Sequence, residues 1–377
     1  MICRIGRLIS IAFFSVCLTA GSLYAQAADS SSKKTARTSS TFDMAEGAAS
    51  RGEFNTALMY FQQAFQEAVR DGNVEIQAYT LSTMAEIYRN EIGNNDSALA
   101  YYHAALMVHR QIGKKESEVY DLNMLGMTYR DLGQLEDALK KYGEALELAQ
   151  KNDFKEAEAF ALREMGLIYQ VTEKYDFALD NFRTALHRHE ELGDKKMTAL
   201  GHIDIGLTLA GQGDSVNSEV ELQQGLDLYR EMDDPVETAW RLNSISVYLY
   251  KIGHFERAVK YYKELWEFYR KYKDRQGEAN ALNMLGSCYF ELNRIDSSVA
   301  VLEKALAIST EIGDNLNMLN TLTNIGVVYK ESARYEKALE YFKRVLKIID
   351  DNGFTTGRAQ VVNAIEEINR KLKKTDP

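Results

Sequence analysis

The sequence is short of several residues that organise other classes of protein. Among its 377 residues there are only 2 prolines and 3 cysteines. Cys3 and Cys17 lie close to the amino terminus, so Cys288 alone is left in the body of the chain and no internal disulfide can support the fold. The formal net charge is −10. Nucleic acid is therefore not expected as a partner, because phosphate binding requires a basic surface.

Motifs for catalysis and for metal binding are missing as well. The closest pair of histidines, His187 and His189, are two residues apart and would point to different faces of a helix. The sequence has no H-E-x-x-H motif, no paired cysteines at metal-ligand spacing and no glycine-rich phosphate loop. We predict a protein with no catalytic residues, metal ligands or cofactor. An enzyme with its site inside a helical toroid is a distant alternative.

A long apolar run begins at Leu8, after two arginines, and is followed by Ala25-Gln26-Ala27, which fits a signal-peptidase site. We predict a signal peptide over residues 1–27 and export of the protein, with the periplasm as its destination. A retained amino-terminal membrane anchor is the alternative. Residues 28–40 are polar and serine-rich, which predicts a flexible tether. No second apolar run is long enough to span a membrane, so none is expected in the mature chain.

What the sequence has in abundance is a repeat of forty residues. From Asp121 to Gln150, apolar residues recur at steps of three and four in two runs divided by Gly133. This pattern predicts a helix, a tight turn and a second helix. Steps of forty from Gly126 and from Ala138 always reach small residues, whereas steps of forty from Tyr142 always reach large ones. Small residues let two helices cross closely, and the large ones fill the space between them.

Two further repeats lie upstream, and the second of them has one extra residue between Asn90 and Ser97. Eight helical hairpins are thus predicted over residues 41–351 of an all-α chain. A last helix, near Thr355 to Lys374 within residues 352–377, has one apolar and one charged side. These properties suit a helix that caps the open end of an array. The fifth repeat, Ile203 to Leu228, matches the pattern least well, and we expect a bend or a softer point there.

The pattern resembles the tetratricopeptide repeat, in its long variant. The resemblance is carried by Leu125-Gly126, Tyr129, Ala138, Tyr142 and Ala145, and by the equivalent residues of the other repeats. The repeat is forty residues long rather than thirty-four, and a Gly or Asp stands at the junctions where a proline is usual. The resemblance implies a right-handed α-solenoid whose first helices line a concave inner face. It also implies a scaffold that binds a protein or an extended peptide there.

Three positions of each first helix correspond to the inner face of the resembled family: three and six residues before the glycine, and four after it. Asparagines there would pair with the backbone of an extended peptide, because an amide offers both donors and an acceptor. Aromatic residues would act as anchors, and arginines would bind carboxylates of the ligand. The predicted peptide-binding residues are Asn123, Asn243, Asn283, Tyr79, Tyr120, Phe160, Trp240, Tyr250, Phe290, Arg89, Arg130 and Arg163. The alternative interpretation is that the aromatic residues belong to the core and the asparagines are solvated.

The sequence therefore predicts an exported, non-catalytic scaffold that binds a protein or peptide along its concave face. A regulatory or sensory module is the alternative, because long repeats of this type precede transmembrane and transmitter segments in some bacterial signalling proteins. Since no second spanning run occurs before Pro377, such a module would act through a separate signalling partner.

Overall fold

The computed structural model describes residues 40–353 and 357–375, in which all regular secondary structure is helical. The predicted signal peptide and residues 28–39 of the predicted tether lie outside the described residues. Seventeen α-helices are numbered here in chain order. They are α1 (Ser40–Ser50), α2 (Phe54–Arg70), α3 (Val74–Ile87), α4 (Asn95–Ile112), α5 (Lys115–Asp131), α6 (Leu135–Lys151), α7 (Lys155–Val171), α8 (Tyr175–Leu192), α9 (Lys195–Gln212), α10 (Ser215–Glu231), α11 (Pro235–Lys251), α12 (Phe255–Tyr272), α13 (Arg275–Glu291), α14 (Ile295–Glu311), α15 (Asn315–Glu331), α16 (Tyr335–Asp351) and α17 (Arg358–Thr375).

Helices α1 to α16 form eight hairpins, and α17 follows the last of them. The all-α solenoid predicted from the repeat is thereby confirmed. Gly133 separates α5 from α6 with φ +75°, the left-handed conformation expected at a helix end. Four of the first helices begin with an aspartate whose side chain accepts a hydrogen bond from the backbone N–H three residues later, which satisfies a free donor of the first turn. These aspartates are Asp194, Asp234, Asp274 and Asp314.

The small-residue series packs against the bulky series inside each hairpin. A Cβ atom added at Gly126 would lie 2.7 Å from Cε1 of Tyr142, and one added at Gly286 would lie 2.5 Å from Cγ of Leu302. Those separations are far below van der Waals contact, so the glycines permit the close approach of the two helices. The cyclic variation of side-chain size in the sequence therefore reflects a real packing constraint.

The extra residue of the second repeat lies in a π-helical turn, Tyr88–Ile92, which continues from the end of α3. Gly93 follows the turn with φ +72°, and the backbone N–H of Asn94 donates to the carbonyl oxygen of Tyr88 at 2.8 Å. The sequence placed this insertion in the loop, whereas the structure accommodates it by widening one turn of helix.

The chain divides into two compact units, the first ending at Leu228 and the second beginning at Tyr229. The boundary falls within α10, in the fifth repeat, which is the repeat that follows the sequence pattern least well. The largest fully buried side chains of the first unit include Tyr102, Tyr142 and Phe182, and those of the second include Tyr262. Each unit thus has its own core of aromatic and aliphatic residues.

Candidate peptide-binding site

In the first unit, the predicted inner-face residues are buried or half-buried. Every residue of α5 from Glu118 to Thr128 is buried, and Asn123 has no exposed surface. Tyr120 and Phe160 are also buried, and Tyr79 packs against Phe42 with its ring centroid 5.4 Å away. These aromatic residues therefore contribute to the core of the first unit, as the alternative interpretation of the sequence holds.

The three predicted arginines of this unit are paired with carboxylates of the following repeat. Arg89 Nη2 lies 2.7 Å from Asp131 Oδ2, and Arg163 Nε lies 2.7 Å from Asp204 Oδ2. Arg130 makes the equivalent ion pair with Glu164 on α7. Because each guanidinium is already neutralised within the chain, these arginines do not form an open basic strip for ligand carboxylates.

Further polar contacts join the first helices of the first unit. Asp121 accepts hydrogen bonds from Ser82 Oγ at 2.9 Å and contacts His109 Nδ1 at 2.6 Å. Burial raises the pKa of Asp121, while the bond with His109 opposes that shift. Gln170 donates to Thr208 Oγ1 at 2.8 Å, which links α7 to α9. The first helices of this unit are thus tied to one another by a ladder of ion pairs and hydrogen bonds between successive repeats.

The second unit presents the corresponding positions to solvent. We define the amide strip as the residues six and three positions before Ser246, Gly286 and Gly326 on α11, α13 and α15, together with the equivalent positions of α17, where Glu366 replaces the small residue. Trp240 is 44% exposed, and four of the polar members are also exposed, whereas the others are half-buried. The members of the amide strip are Trp240, Asn280, Asn320, Gln360, Asn243, Asn283, Thr323 and Asn363. Three of the predicted residues, Trp240, Asn243 and Asn283, are therefore brought together on one accessible surface.

Gln360 and Asn363 were missed in the sequence because α17 was treated only as a cap. One more step of forty from Asn320 and Thr323 reaches them. The register holds in the structure, since Lys330 Nζ on α15 bonds Glu367 Oε2 on α17 at 2.9 Å. Helix α17 therefore carries the same two rows as the first helices before it.

The amides of the strip are mostly unengaged. Asn283 Oδ1 accepts a hydrogen bond from Asn324 Nδ2 at 2.8 Å. Within the part of the chain that the structure describes, the side chains of Asn243, Asn280 and Asn320 make no hydrogen bond. Each of these amides still has both donors and its acceptor available for a bound chain.

Tyr250 and Phe290, the other predicted residues of this unit, are half-buried beside the strip. The hydroxyl of Tyr250 donates to Glu291 Oε1 at 3.4 Å, and its ring meets that of Phe255 edge to face at 5.3 Å. Burial raises the pKa of Tyr250. Phe290 packs against the core of the second unit. Both side chains therefore border the strip and support it from below.

The members of the amide strip carry no charge, and most of the positions beside them on α11, α13 and α15 are uncharged as well. On α11, α13 and α15 the residues ten and two positions before the small residue, and one after it, are all uncharged. They are Val236, Gln276, Leu316, Ser244, Met284, Asn324, Val247, Ser287 and Val327. The charged residues nearest to them along the chain include Glu237, which is paired with Arg241, and on α17 Glu366 and Glu367 follow Asn363.

The described residues contain no cluster of three or more His, Cys, Asp or Glu side chains that could hold a metal ion. None of the helices within residues 40–353 and 357–375 has the length and apolar character needed to cross a membrane. Cys288 is buried on α13, and burial raises the pKa of its thiol to about 12. This thiol is therefore protonated at neutral pH and is a poor nucleophile.

No curated protein matches this chain significantly. Among solved structures, the apo form of RapI is 14% identical with a TM-score of 0.49, over 79% of this chain and 99% of that protein. A signal transduction ATPase with a tetratricopeptide repeat sensor, from Pyrococcus horikoshii, is 16% identical with a TM-score of 0.51. The match covers 86% of this chain but only 50% of that protein, so this chain spans about half its length. These similarities concern the fold.

The repeat itself is recognised along most of the described chain. Residues 76–151, 116–191 and 277–351 match one description of the tetratricopeptide repeat, and residues 238–272 match another. The matches lie in both compact units and include the first helices α11, α13 and α15 that carry the amide strip. This chain belongs to the tetratricopeptide repeat family, whose stacked helical hairpins form scaffolds for protein interaction.

Proposed function

We propose that this protein is an exported, non-catalytic scaffold that binds an extended segment of another protein on the amide strip of its second unit. The observation that carries the proposal is the row of accessible, unengaged amides on successive first helices, with Trp240 at one end. Amide side chains can pair with the N–H and C=O groups of an extended backbone, and an exposed tryptophan supplies an apolar anchor.

The first unit supports this proposal by contrast. Its equivalent positions are buried and joined by ion pairs such as that between Arg163 and Asp204, so a ligand would have to break them to enter. Breaking one partner away from a buried ion pair costs about 3–5 kcal/mol. Binding is therefore proposed on the second unit alone.

A capture experiment with matched variants tests the site. The full protein and its Asn280→Ala/Asn283→Ala/Asn320→Ala variant would be used to recover partners from the cell-envelope fraction. Asn369→Ala, an exposed asparagine on α17 outside the strip, is the control. We expect a specific partner to be recovered with the wild type and the control but not with the triple variant. Equal recovery with all three proteins would refute binding on the strip.

Export is proposed from the predicted signal peptide and is tested separately. We expect the protein in the periplasmic fraction with an amino terminus at Ala28, directly after the predicted cleavage site. A cytosolic pool that retains Met1 would refute export, and a membrane-bound form that retains the leader would favour an amino-terminal anchor. If the captured partner is a signalling protein, the scaffold has the regulatory role given above as the alternative.

A further inference from the structure

We infer that the ligand of the amide strip is an extended, uncharged polypeptide segment with an apolar side chain at each of its two ends. The inference rests on the proposed function, because it assigns the chemistry of the ligand to the same strip. It follows from three properties of the second unit: the absence of charge along the strip, the location of its exposed apolar residues and the distance between them.

The first property is the neutrality of the surface. Charged residues make up 27% of the chain, yet the positions that form the strip contain none, and Glu237, which borders Trp240 on α11, is neutralised by Arg241. Lys330, one turn beyond the small residue of α15, is held by Glu331 at 3.5 Å and by Glu367 at 2.9 Å. A charged side chain on the ligand would lose water without gaining a partner, so the strip discriminates against acidic and basic segments alike.

The second property is the placement of exposed apolar side chains on α11 and on α15, the first and third helices of the strip. Val236 and Trp240 lie one turn apart on the same face of α11 and are 66% and 44% exposed. Two repeats later, at the position equivalent to Val236, Leu316 on α15 is 63% exposed. The intervening residue of that row is Gln276, whose Nε2 donates to Asp314 Oδ2 at 3.3 Å. The part of the strip from α11 to α15 thus has an exposed apolar side chain on its first and last helices and amides on the helix between them.

The third property is the spacing. Helices in contact pack about 8–10 Å apart, so two repeats separate the apolar ends by about 20 Å. An extended chain advances about 3.3 Å per residue, so roughly six residues cover this distance. Side chains in an extended chain alternate between its two faces, and an even separation places both apolar side chains on the face toward the strip. The amides of Asn280 and Asn283 would then pair with the ligand backbone between the anchors.

Fluorescence anisotropy with short labelled peptides tests this inference on the full protein. The reference peptide has two leucines six positions apart, separated by serine, threonine and asparagine. One comparison peptide moves the second leucine by one position, which turns it to the opposite face. Two others place aspartate or lysine two positions after the first leucine, where the side chain faces the strip. We expect the reference peptide to bind about tenfold more tightly than any of the three. The shifted peptide loses one apolar contact, and each charged peptide brings a charge that loses water without gaining a partner.

Two variants with similarly exposed aromatic residues test the anchor. Trp240→Ala is expected to weaken the reference peptide about tenfold, whereas Tyr272→Ala should leave binding unchanged. Tyr272 lies on α12, away from the strip, and is 47% exposed. Binding of the reference peptide should also be the same at about 50 mM and about 500 mM salt, since no ion pair contributes.

The inference is overturned if an acidic or basic peptide binds as tightly as the reference, if salt weakens the binding, or if Trp240→Ala has no more effect than Tyr272→Ala. Failure of the proposed function gives a different result. If partner capture depends on Asn280, Asn283 and Asn320 but no uncharged peptide binds, the strip is the site and the ligand chemistry inferred here is wrong. If partner capture is also unaffected by those substitutions, the proposed site itself is wrong.

Discussion

Replacing Gly126 with alanine tests whether the small residues of the repeat are required for the close crossing of its two helices. The added Cβ would lie 2.7 Å from Cε1 and 2.8 Å from Cδ1 of Tyr142. The ring of Tyr142 is fully buried, so there is no free space into which it can move without disturbing its neighbours. Gly143 on α6 provides a matched control, because a Cβ there would meet nothing within 4 Å.

The magnitude follows from two opposing effects. Overpacking of a filled core costs about 1–3 kcal/mol. Replacing glycine with alanine inside a helix raises the free energy of unfolding by about 1 kcal/mol. This gain applies equally at Gly126 and at Gly143. We therefore expect Gly143→Ala to be stabilised by about 1 kcal/mol and Gly126→Ala to lie about 1–3 kcal/mol below it. The difference between the two variants isolates the packing cost, since the helix-propensity effect cancels.

Unfolding in urea, followed by circular dichroism, measures both free energies. A third variant adds a graded comparison: a Cβ at Gly326 would lie 3.1 Å from Cζ of Phe342, so Gly326→Ala should cost less than Gly126→Ala. Ser246 occupies the same position in the sixth repeat and is fully buried, which shows that a larger residue fits where the neighbours are adapted to it. Equal stability of Gly126→Ala and Gly143→Ala would refute the packing argument.

Three further predictions concern buried polar groups. Asp204→Ala should lower the free energy of unfolding by about 3 kcal/mol, because it removes the closer of the two carboxylates of the buried Arg163 guanidinium and leaves only Glu164, at 3.4 Å. Arg163→Met/Asp204→Leu should remain closer to wild type in the same urea titration. Burial lowers the pKa of His189 to about 4, from an ordinary 6.5. The unfolded chain therefore binds a proton that the folded chain excludes, and stability should fall by about 3 kcal/mol between pH 6.5 and pH 4. His189→Leu should flatten that part of the profile, and parallel profiles for the variant and the wild type would contradict the assignment. Cys288 should react with a thiol reagent only as fast as the protein unfolds, because its pKa is about 12; rapid labelling of the folded protein would contradict this.

The hairpins could be predicted because side-chain size alternates with a constant period. Gly126, Ala138 and Tyr142 fix which faces of two helices meet, and this information is local to each repeat. The accessible face could not be assigned with the same success, because whether it stays open depends on contacts between repeats. The rows used for the prediction contain Arg89 and Arg163 but not their partners, Asp131 and Asp204, which occupy other positions of the neighbouring first helix.

A signal for the difference between the two units was nevertheless present in the sequence. The first helices of the early repeats carry charges of both signs near their inner rows, such as Arg130 and Glu164, which can neutralise each other across repeats. The corresponding helices of the later repeats carry asparagine, serine and threonine. The charge pattern along the first helices, taken together with the repeat period, would have predicted which unit has an ion-paired face and which has a solvent-exposed one.

The π-helical turn at Tyr88–Ile92 has a consequence for how such a chain changes length during evolution. The surplus residue widens the helix end by one backbone position, and Gly93 after it adopts the same conformation as Gly133 after α5. The second helix of the same hairpin, α4, therefore starts after a turn of the ordinary conformation. Insertions and deletions at this helix end remain local events, so a lineage can gain or shed a residue there without remodelling the adjacent repeats.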